Sequence, residues 1–108
     1  MNKCHFLGKL THPVELELEN GVPFCMFELE IEEFRNKKGK NSEKVRDVTY
    51  LHFEAWDSAA SAIEKYAEEG GLIAVESVAR DSIYDNVEDP EDAIVETYFR
   101  VTSFKILK

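Results

Sequence analysis

Apolar residues recur at every second position along most of this chain, which is the pattern of strands with one buried face. The clearest case is FCMFELEIEEF, residues 24–34. There Phe27, Leu29 and Ile31 are predicted to face inward. The outward positions are Met26, Glu28, Glu30 and Glu32. We therefore predict a strand over 24–34.

The segment VTYLHFEAW, residues 48–56, repeats the alternation with Leu51, Phe53 and Ala55 on its apolar face. Its other face is predicted to carry Tyr50, His52, Glu54 and Trp56. The same period predicts further strands over 2–10, 12–20, 72–84 and 93–107. Asn20-Gly21 is a strong turn signal, and Gly8 within a strand indicates a bend or a close backbone approach.

One segment changes to a helical period. Residues 59–69, AASAIEKYAEE, place Ala59, Ala62, Ile63 and Tyr66 on one helical face. Ser58 is the expected N-cap, and the pair Gly70-Gly71 is expected to end the helix.

This order of elements predicts the fold class all-β, as a five-stranded Greek-key barrel with one helix between the third and fourth main strands. Five strands and one short helix cannot cover two open sheet faces, so we expect the sheet to close. Closure also removes exposed strand edges, and the helix would plug one end. Residues 1–108 are expected to form a single domain.

Charge is distributed unevenly. The chain carries a net charge of −9, yet six of its 13 cations fall within residues 35–46, where Glu43 is the one acidic residue. These cations are Arg35, Lys37, Lys38, Lys40, Lys44 and Arg46. That segment is expected to be the hairpin loop between the strands 24–34 and 48–56.

Outward aromatic residues are predicted close to this basic segment. Phe34 precedes it, Tyr50 and Trp56 share a face of one strand, and Tyr84 ends another strand. Single-stranded nucleic acid needs rings for base stacking and cations for phosphates. Simpler interpretations stay open: Trp56 could pack under the helix, Phe34 and Tyr50 could be a cross-strand pair, and the lysines could only solvate a loop.

Other chemistry is weakly represented. The three histidines, His5, His12 and His52, lack metal-ligand spacing, and nucleophile and phosphate-loop motifs are missing. We therefore predict a protein that is not an enzyme, with no cofactor and no metal. No apolar run of membrane-spanning length or signal peptide is recognisable, and Cys4 and Cys25 are expected to be core thiols in a reducing, intracellular setting.

The whole chain resembles the bacterial single-stranded DNA-binding proteins (SSB). The opening MNKCHFLGKLT is similar to their MNKV-hydrophobic-GRLT start, and VELELENG resembles their first hairpin. TYLHFEAWDSAASAIEKYAEEGGLIAVES is similar to their third strand, helix and fourth strand. The resemblance covers residues 1–107, and the chain looks like a small divergent member of the kind found in cyanobacteria and plastids.

The resemblance implies an OB fold, single-stranded DNA as partner, and assembly as a homodimer or homotetramer. It places base-stacking residues at Phe34, Tyr50, Trp56 and Tyr84, and DNA-contacting cations at Lys3 and Arg80. It also implies a role in DNA replication, repair or recombination. The location would be the cytoplasm, near the nucleoid, or the plastid stroma if the gene is plastid-encoded.

Several residues depart from the family pattern. Glu17, Glu54 and the acidic segment 85–92 stand where the family is neutral or basic, and no acidic, Phe-ended tail follows Lys108. We therefore expect weak, salt-sensitive binding of single-stranded DNA without sequence preference. The alternative is an SSB-like module for protein interaction or assembly with little affinity for nucleic acid, and RNA remains a third candidate ligand.

Overall fold

The computed structural model describes residues 1–36, 44–84 and 94–107, and the side chains of all of these except 82–84, 94 and 95. Six strands and one helix occupy these ranges. In chain order they are β1 (Cys4–Leu10), β2 (Glu17–Glu19), β3 (Val22–Asn36), β4 (Lys44–Trp56), α1 (Asp57–Tyr66), β5 (Leu72–Tyr84) and β6 (Ile94–Ile106).

The strands form one sheet in the order β1-β5-β6-β4-β3-β2, which closes where β1 also pairs with β3. Closure rests on two residue pairs, Lys9 with Glu30 and Leu10 with Leu29. The pairing of β4 with β6 is parallel, and the other strand pairs are antiparallel. The predicted all-β five-stranded barrel with one helix is confirmed, with the three residues of β2 added along the edge of β3.

The barrel interior is built from the alternate residues that the sequence predicts to face inward. Phe53 is fully buried and its ring lies 5.4 Å from that of Phe27, 5.5 Å from Phe99 and 5.6 Å from Phe6, measured between centroids. Cys25 is also fully buried, and this burial raises the pKa of its thiol to about 11. Cys25 is therefore a core thiol, as predicted.

The helix closes one end of the barrel with the buried residues Ala60 and Ile63, as expected, but its ends differ from the prediction. It begins at Asp57, and Trp56 occupies the N-cap position without a side-chain capping bond, so the assignment of Ser58 as N-cap is wrong. The reason is that β4 runs directly into α1 through Asp57, which takes a positive φ of 58°. Ser58 therefore lies inside the first turn of the helix and cannot occupy the N-cap position.

The helix ends at Tyr66, before the predicted stop at Gly70-Gly71. The two glycines instead join this connection to β1, since the Gly70 amide donates to the Leu10 carbonyl at 2.7 Å and the Leu10 amide donates to the Gly71 carbonyl at 2.9 Å. Gly70 has a φ of 84°, which favours glycine. Hydrogen bonding to a distant strand, rather than local capping, therefore determines where these residues lie.

The segment 12–20 was predicted as a strand throughout, and only Glu17–Glu19 is one. Pro13 cannot donate a ladder hydrogen bond, and Leu18 stays largely exposed, so the alternation there does not mark a buried face. The Asn20-Gly21 turn is confirmed, with positive φ at both residues.

The hairpin of β3 and β4 extends further than predicted. Its register continues to the pair Asn36 and Lys44, so Arg35, Lys44 and Arg46 lie on strands and not in a loop. Hydrogen bonding between the strands outcompetes the loop-forming tendency of this polar segment. The predicted loop residues Lys37, Lys38 and Lys40 lie outside the described residues, as does the acidic segment 85–92.

Candidate nucleic-acid interface

One face of the barrel carries most of the residues that the sequence singles out. Directly paired residues of neighbouring strands point to the same side of a sheet, so the register defines this face. We call it the outer face; it includes Phe24, Met26, Glu28, Glu30, Glu32 and Phe34 of β3, Lys44, Arg46, Tyr50, His52, Glu54 and Trp56 of β4, and Arg100 of β6.

Two aromatic side chains of the outer face are open to solvent. Phe34 is 63% exposed and Tyr50 is 54% exposed. They are not a cross-strand pair, because Phe34 lies opposite Arg46 and Tyr50 lies opposite Glu30. Each ring therefore presents a separate surface on which a base could stack.

Trp56 is held differently. Its ring stacks on that of Phe24, with centroids 4.9 Å apart and planes inclined by 22°, and its indole Nε1 donates to Glu54 Oε1 at 3.1 Å. The indole is half-buried. It is therefore partly packed, in line with one of the simpler interpretations, and part of its surface remains accessible. Sequence reasoning did not identify Phe24 as part of this site, although its place opposite Trp56 follows once the register is known.

Glu54 connects Trp56 to a cation that sequence reasoning also missed. Arg100 Nε donates to Glu54 Oε1 at 2.7 Å, and this hydrogen bond with the carboxylate raises the pKa of Arg100. Glu54 is only 8% exposed although it lies on the outer face. Arg100 and the indole thus satisfy a carboxylate that burial would otherwise penalise.

The arginines of the hairpin are engaged by neighbouring carboxylates. Arg35 Nε lies 2.7 Å from Asp47 Oδ2, on the face opposite to the outer face. Arg46 pairs with Glu32 and, at 3.3 Å, with Glu30. These partners, Glu32 first, raise the pKa of Arg46. Arg46 can therefore bind a phosphate only by exchanging carboxylate oxygens for phosphate oxygens.

The two cations implied by the resemblance are not part of the hairpin and lie on or beside β5. Lys3 Nζ contacts Glu76 Oε1 at 2.8 Å, which raises the pKa of Lys3 and lowers that of Glu76. Arg80 is exposed on β5, opposite Tyr98 of β6. Because Tyr98 is two residues before Arg100, which belongs to the outer face, Arg80 points to that same side of the sheet.

The remaining expected site residues are placed only in part. Lys44 is exposed as the first residue of β4, opposite Asn36. Tyr84 is the last residue of β5, with its backbone paired to Ile94, and its side chain lies outside the described part of the structure. Lys37, Lys38 and Lys40 lie outside it as well.

A cleft of about 320 Å³ opens on the outer face at His52, where the loop after β1 approaches β3, β4 and β6. Its walls include Pro13, Met26 and Tyr98, and its polar groups include Glu28, His52 and Glu96. Thr11 Oγ1 donates to Glu28 Oε1 at 2.9 Å, and His52 Nε2 lies 2.8 Å from Glu28 Oε2. These contacts, Thr11 first, lower the pKa of Glu28.

Within residues 1–36, 44–84 and 94–107, no three His, Cys, Asp or Glu side chains are grouped so that they could hold a metal ion. The one helix of this part of the chain has ten residues, and it is neither long nor apolar enough to span a membrane. The chemistry of the face is therefore that of exposed rings, arginine–carboxylate pairs and a small polar cleft.

Comparison with solved structures gives high similarity at low sequence identity. The chain aligns over its full length, with 17% identity and a TM-score of 0.85, to 96% of the chain in "Plasmodium falciparum SSB complex with ssDNA". It also aligns with 17% identity and a TM-score of 0.82 to a deletion mutant of the single-stranded DNA binding protein from Thermus aquaticus, of which it spans about half, 51%. These likenesses establish the fold.

Sequence comparison is decisive for the family. A search of curated proteins returns no match for this chain. The profile of the single-strand binding protein family, however, matches residues 1–105, which is nearly the entire chain. The chain therefore belongs to the single-strand binding protein family.

Proposed function

We propose that this protein binds single-stranded DNA along the outer face of the barrel. The observation that carries the proposal is the pair of exposed rings, Phe34 and Tyr50, on the same face as the half-buried Trp56. Family membership over residues 1–105 supports the same ligand, as does the fold shared with an SSB complexed with ssDNA. The activity is binding rather than catalysis, and stacking supplies much of the affinity.

Phosphates would be held by cations that already have partners. Arg46 and Arg35 exchange Glu32, Glu30 and Asp47 for phosphate oxygens, while Lys44 and Arg80 are exposed. We assign the same role to Lys37, Lys38 and Lys40 on the basis of their charge. Because each exchange uncovers a carboxylate, binding is expected to be weak and strongly reduced by salt.

Family membership supports a proposal for the wider role. We propose that the protein acts in DNA replication, repair or recombination, at the nucleoid or in a plastid stroma, as a homodimer or homotetramer. Lys3 would contact DNA after leaving Glu76, and Tyr84 would stack a base.

The test is a titration of Trp56 fluorescence, which is specific because Trp56 is the only tryptophan. Oligonucleotides of dT and of dC are added at low and then at moderate salt. Saturable quenching that weakens with salt is expected. Tyr50→Ala should weaken binding by about 1–3 kcal/mol, the contribution of one stacked base.

Tyr66→Ala is the matched control, because Tyr66 is an equally exposed tyrosine, at 61%, on α1 and outside the outer face. Its affinity should equal that of the wild type. Absence of quenching at low salt, with a folded protein shown by circular dichroism, would overturn DNA binding on this face. Equal losses in both variants would overturn the role of Tyr50.

A second function is supported by the same ion pairs. Carboxylates engage Arg35, Arg46, Lys3 and Arg100, as expected if the surface serves protein interaction with little affinity for nucleic acid. Replacing Lys37, Lys38 and Lys40 together by Glu separates the functions. DNA binding, or RNA binding measured with an oligo-rU, should be abolished if nucleic acid is the ligand, while self-assembly should persist under either function.

A further inference from the structure

The carboxylates of Glu28 and Glu96 give the cleft more hydrogen-bond acceptors than donors, because the Nδ1 of His12, which also lines it, is already engaged with Thr11 Oγ1 at 2.7 Å. In its neutral form the His52 ring carries one N–H, and the 2.8 Å contact places that proton on Nε2, facing Glu28 Oε2. In this form His52 Nδ1 carries a lone pair that is directed toward Glu96 Oε1. The two atoms are 3.7 Å apart, which is too long for a hydrogen bond. Two acceptors therefore face each other with no proton between them.

The walls of the cleft suit a flat ring. Met26 and Pro13 supply apolar surface and Tyr98 supplies an aromatic side chain, which are typical of small-molecule sites. A volume of about 320 Å³ is at the lower end of the range for such sites and is sufficient for one nucleobase. The site is thus small, partly apolar and in need of an N–H donor.

The position of the cleft favours a base of a bound strand over an amine of a protein partner. His52 lies between Tyr50 and Trp56 on the outer face of β4, with one residue separating it from Glu54. Alternate residues of a strand are about 7 Å apart, so a nucleic acid stacked on Tyr50 brings a neighbouring base near His52. A cationic side chain would satisfy the same acceptors, but one side chain could not also cover the two separate exposed rings, Phe34 and Tyr50, on this face.

We propose that this cleft is a base subsite that takes cytosine, through its exocyclic amino group, in preference to thymine. This inference rests on the proposed binding of single-stranded DNA. The two N–H groups of cytosine N4 can donate to Glu96 and to His52, and carboxylates accept well from this amino group. Thymine presents a carbonyl oxygen at the same place, which would face Glu96 without a proton. The outer face as a whole would still bind strands of any sequence, with a preference for cytosine at this one position.

The experiment compares the affinities of dC and dT oligonucleotides of equal length at pH 8, where hemiprotonated cytosine pairs do not form. Wild type, Glu96→Gln, Glu28→Gln and Glu33→Gln are titrated by the Trp56 signal and by fluorescence anisotropy of a labelled strand. Glu33→Gln is the matched control, because Glu33 lies on β3 with its side chain on the face opposite to the cleft. It removes the same charge without touching the site.

The expected result is a ratio of dC to dT affinity that falls about fivefold or more in Glu96→Gln and in Glu28→Gln, relative to wild type and to Glu33→Gln. The change in ratio is the criterion, since it cancels the intrinsic stacking difference between the two bases. A Gln amide can donate to thymine O4, which is why the preference should collapse.

Two outcomes would overturn the subsite while the proposed function stands. One is binding of both oligonucleotides with the same ratio in all four proteins. The other is an equal tightening of dC and dT in the two cleft variants, which would mean that the carboxylates act through charge alone. Failure of the wild type to bind either oligonucleotide at low salt would overturn the proposed function, and the subsite with it.

Discussion

At the residue scale, Gly8 shows how a single missing side chain permits closure of the barrel. A Cβ added at Gly8 would lie 2.6 Å from Ile31 Cδ1, 2.9 Å from Leu29 Cβ and 3.0 Å from the Glu30 carbonyl oxygen. Those are the β3 residues that β1 meets where the sheet closes. The close backbone approach that the sequence predicts at Gly8 is confirmed, and its cause is this strand crossing.

We predict that Gly8→Ala lowers the free energy of unfolding by about 1–3 kcal/mol, because the added methyl group overpacks the seam between β1 and β3. Urea unfolding followed by circular dichroism measures the loss. Ile31→Val removes the nearest contacting atom, so the double variant should lose less stability than the sum of the two single variants. Strict additivity would contradict the contact with Ile31 as the cause.

The hydrogen bond from Thr11 to Glu28 gives a pH dependence with a defined sign. Because the pKa of Glu28 is lowered from its ordinary 4.5, its stabilising contribution is complete above that value and is lost as the pH falls through the lower folded value. We predict that wild type loses more stability than Thr11→Val on acidification from neutral pH to about pH 3. Urea midpoints across this range measure the difference, and parallel curves would contradict it.

At the scale of elements, the hairpin of β3 and β4 was predicted correctly in its existence and wrongly in its extent. Alternation identifies a strand while one face is buried, as for Phe27 to Ile31. Beyond Ile31 the hairpin leaves the barrel and both faces of β3 are exposed, so the backbone register alone keeps Arg35 and Arg46 in strands. Sequence patterns carry no signal for such a segment.

The register of the extended hairpin also brings Arg46 beside Glu32, and this ion pair leads to a prediction. Glu32→Gln should tighten binding of single-stranded DNA by about two- to fivefold and steepen its salt dependence, because Arg46 becomes available to phosphate. The cost in stability should stay below about 1 kcal/mol, as for other exposed ion pairs. Anisotropy titrations at several salt concentrations measure the affinity.

Glu33→Gln again serves as the control, since Glu33 is the next residue along β3, points to the opposite face and carries the same charge. If Glu33→Gln tightens binding as much as Glu32→Gln does, the effect comes from net charge and not from release of Arg46.

At the scale of the whole molecule, the proposed function requires an acidic chain to bind a polyanion. The net charge is −9, and four of the described cations, Lys3, Arg35, Arg46 and Arg100, are paired with carboxylates. Each phosphate bound by a protein releases counterions from the nucleic acid, so the salt dependence counts the contacts. Local pairing therefore predicts fewer contacts than the number of basic residues suggests.

We predict a plot of log K against log salt with a slope near −3 for oligo-dT, corresponding to about four phosphates at about −0.7 each. Titrations of Trp56 fluorescence in a series of NaCl concentrations measure this slope. A slope near zero would contradict phosphate contacts and favour the protein-interaction function. Oligomeric state is measured alongside by light scattering, so that contacts are counted per protomer.

The sequence by itself determined the strand and helix order, the inward-facing positions, the fold class and the family resemblance. The first three features depend on local periodicity and the resemblance depends on short motifs, and a linear chain carries both in full. Only the tertiary structure decided that Phe34 and Tyr50 stand apart, that Phe24 supports Trp56 and that Glu54 joins Trp56 to Arg100. It also decided that Glu28, His52 and Glu96 share a cleft, because strand register and barrel closure bring together residues that are distant in the chain.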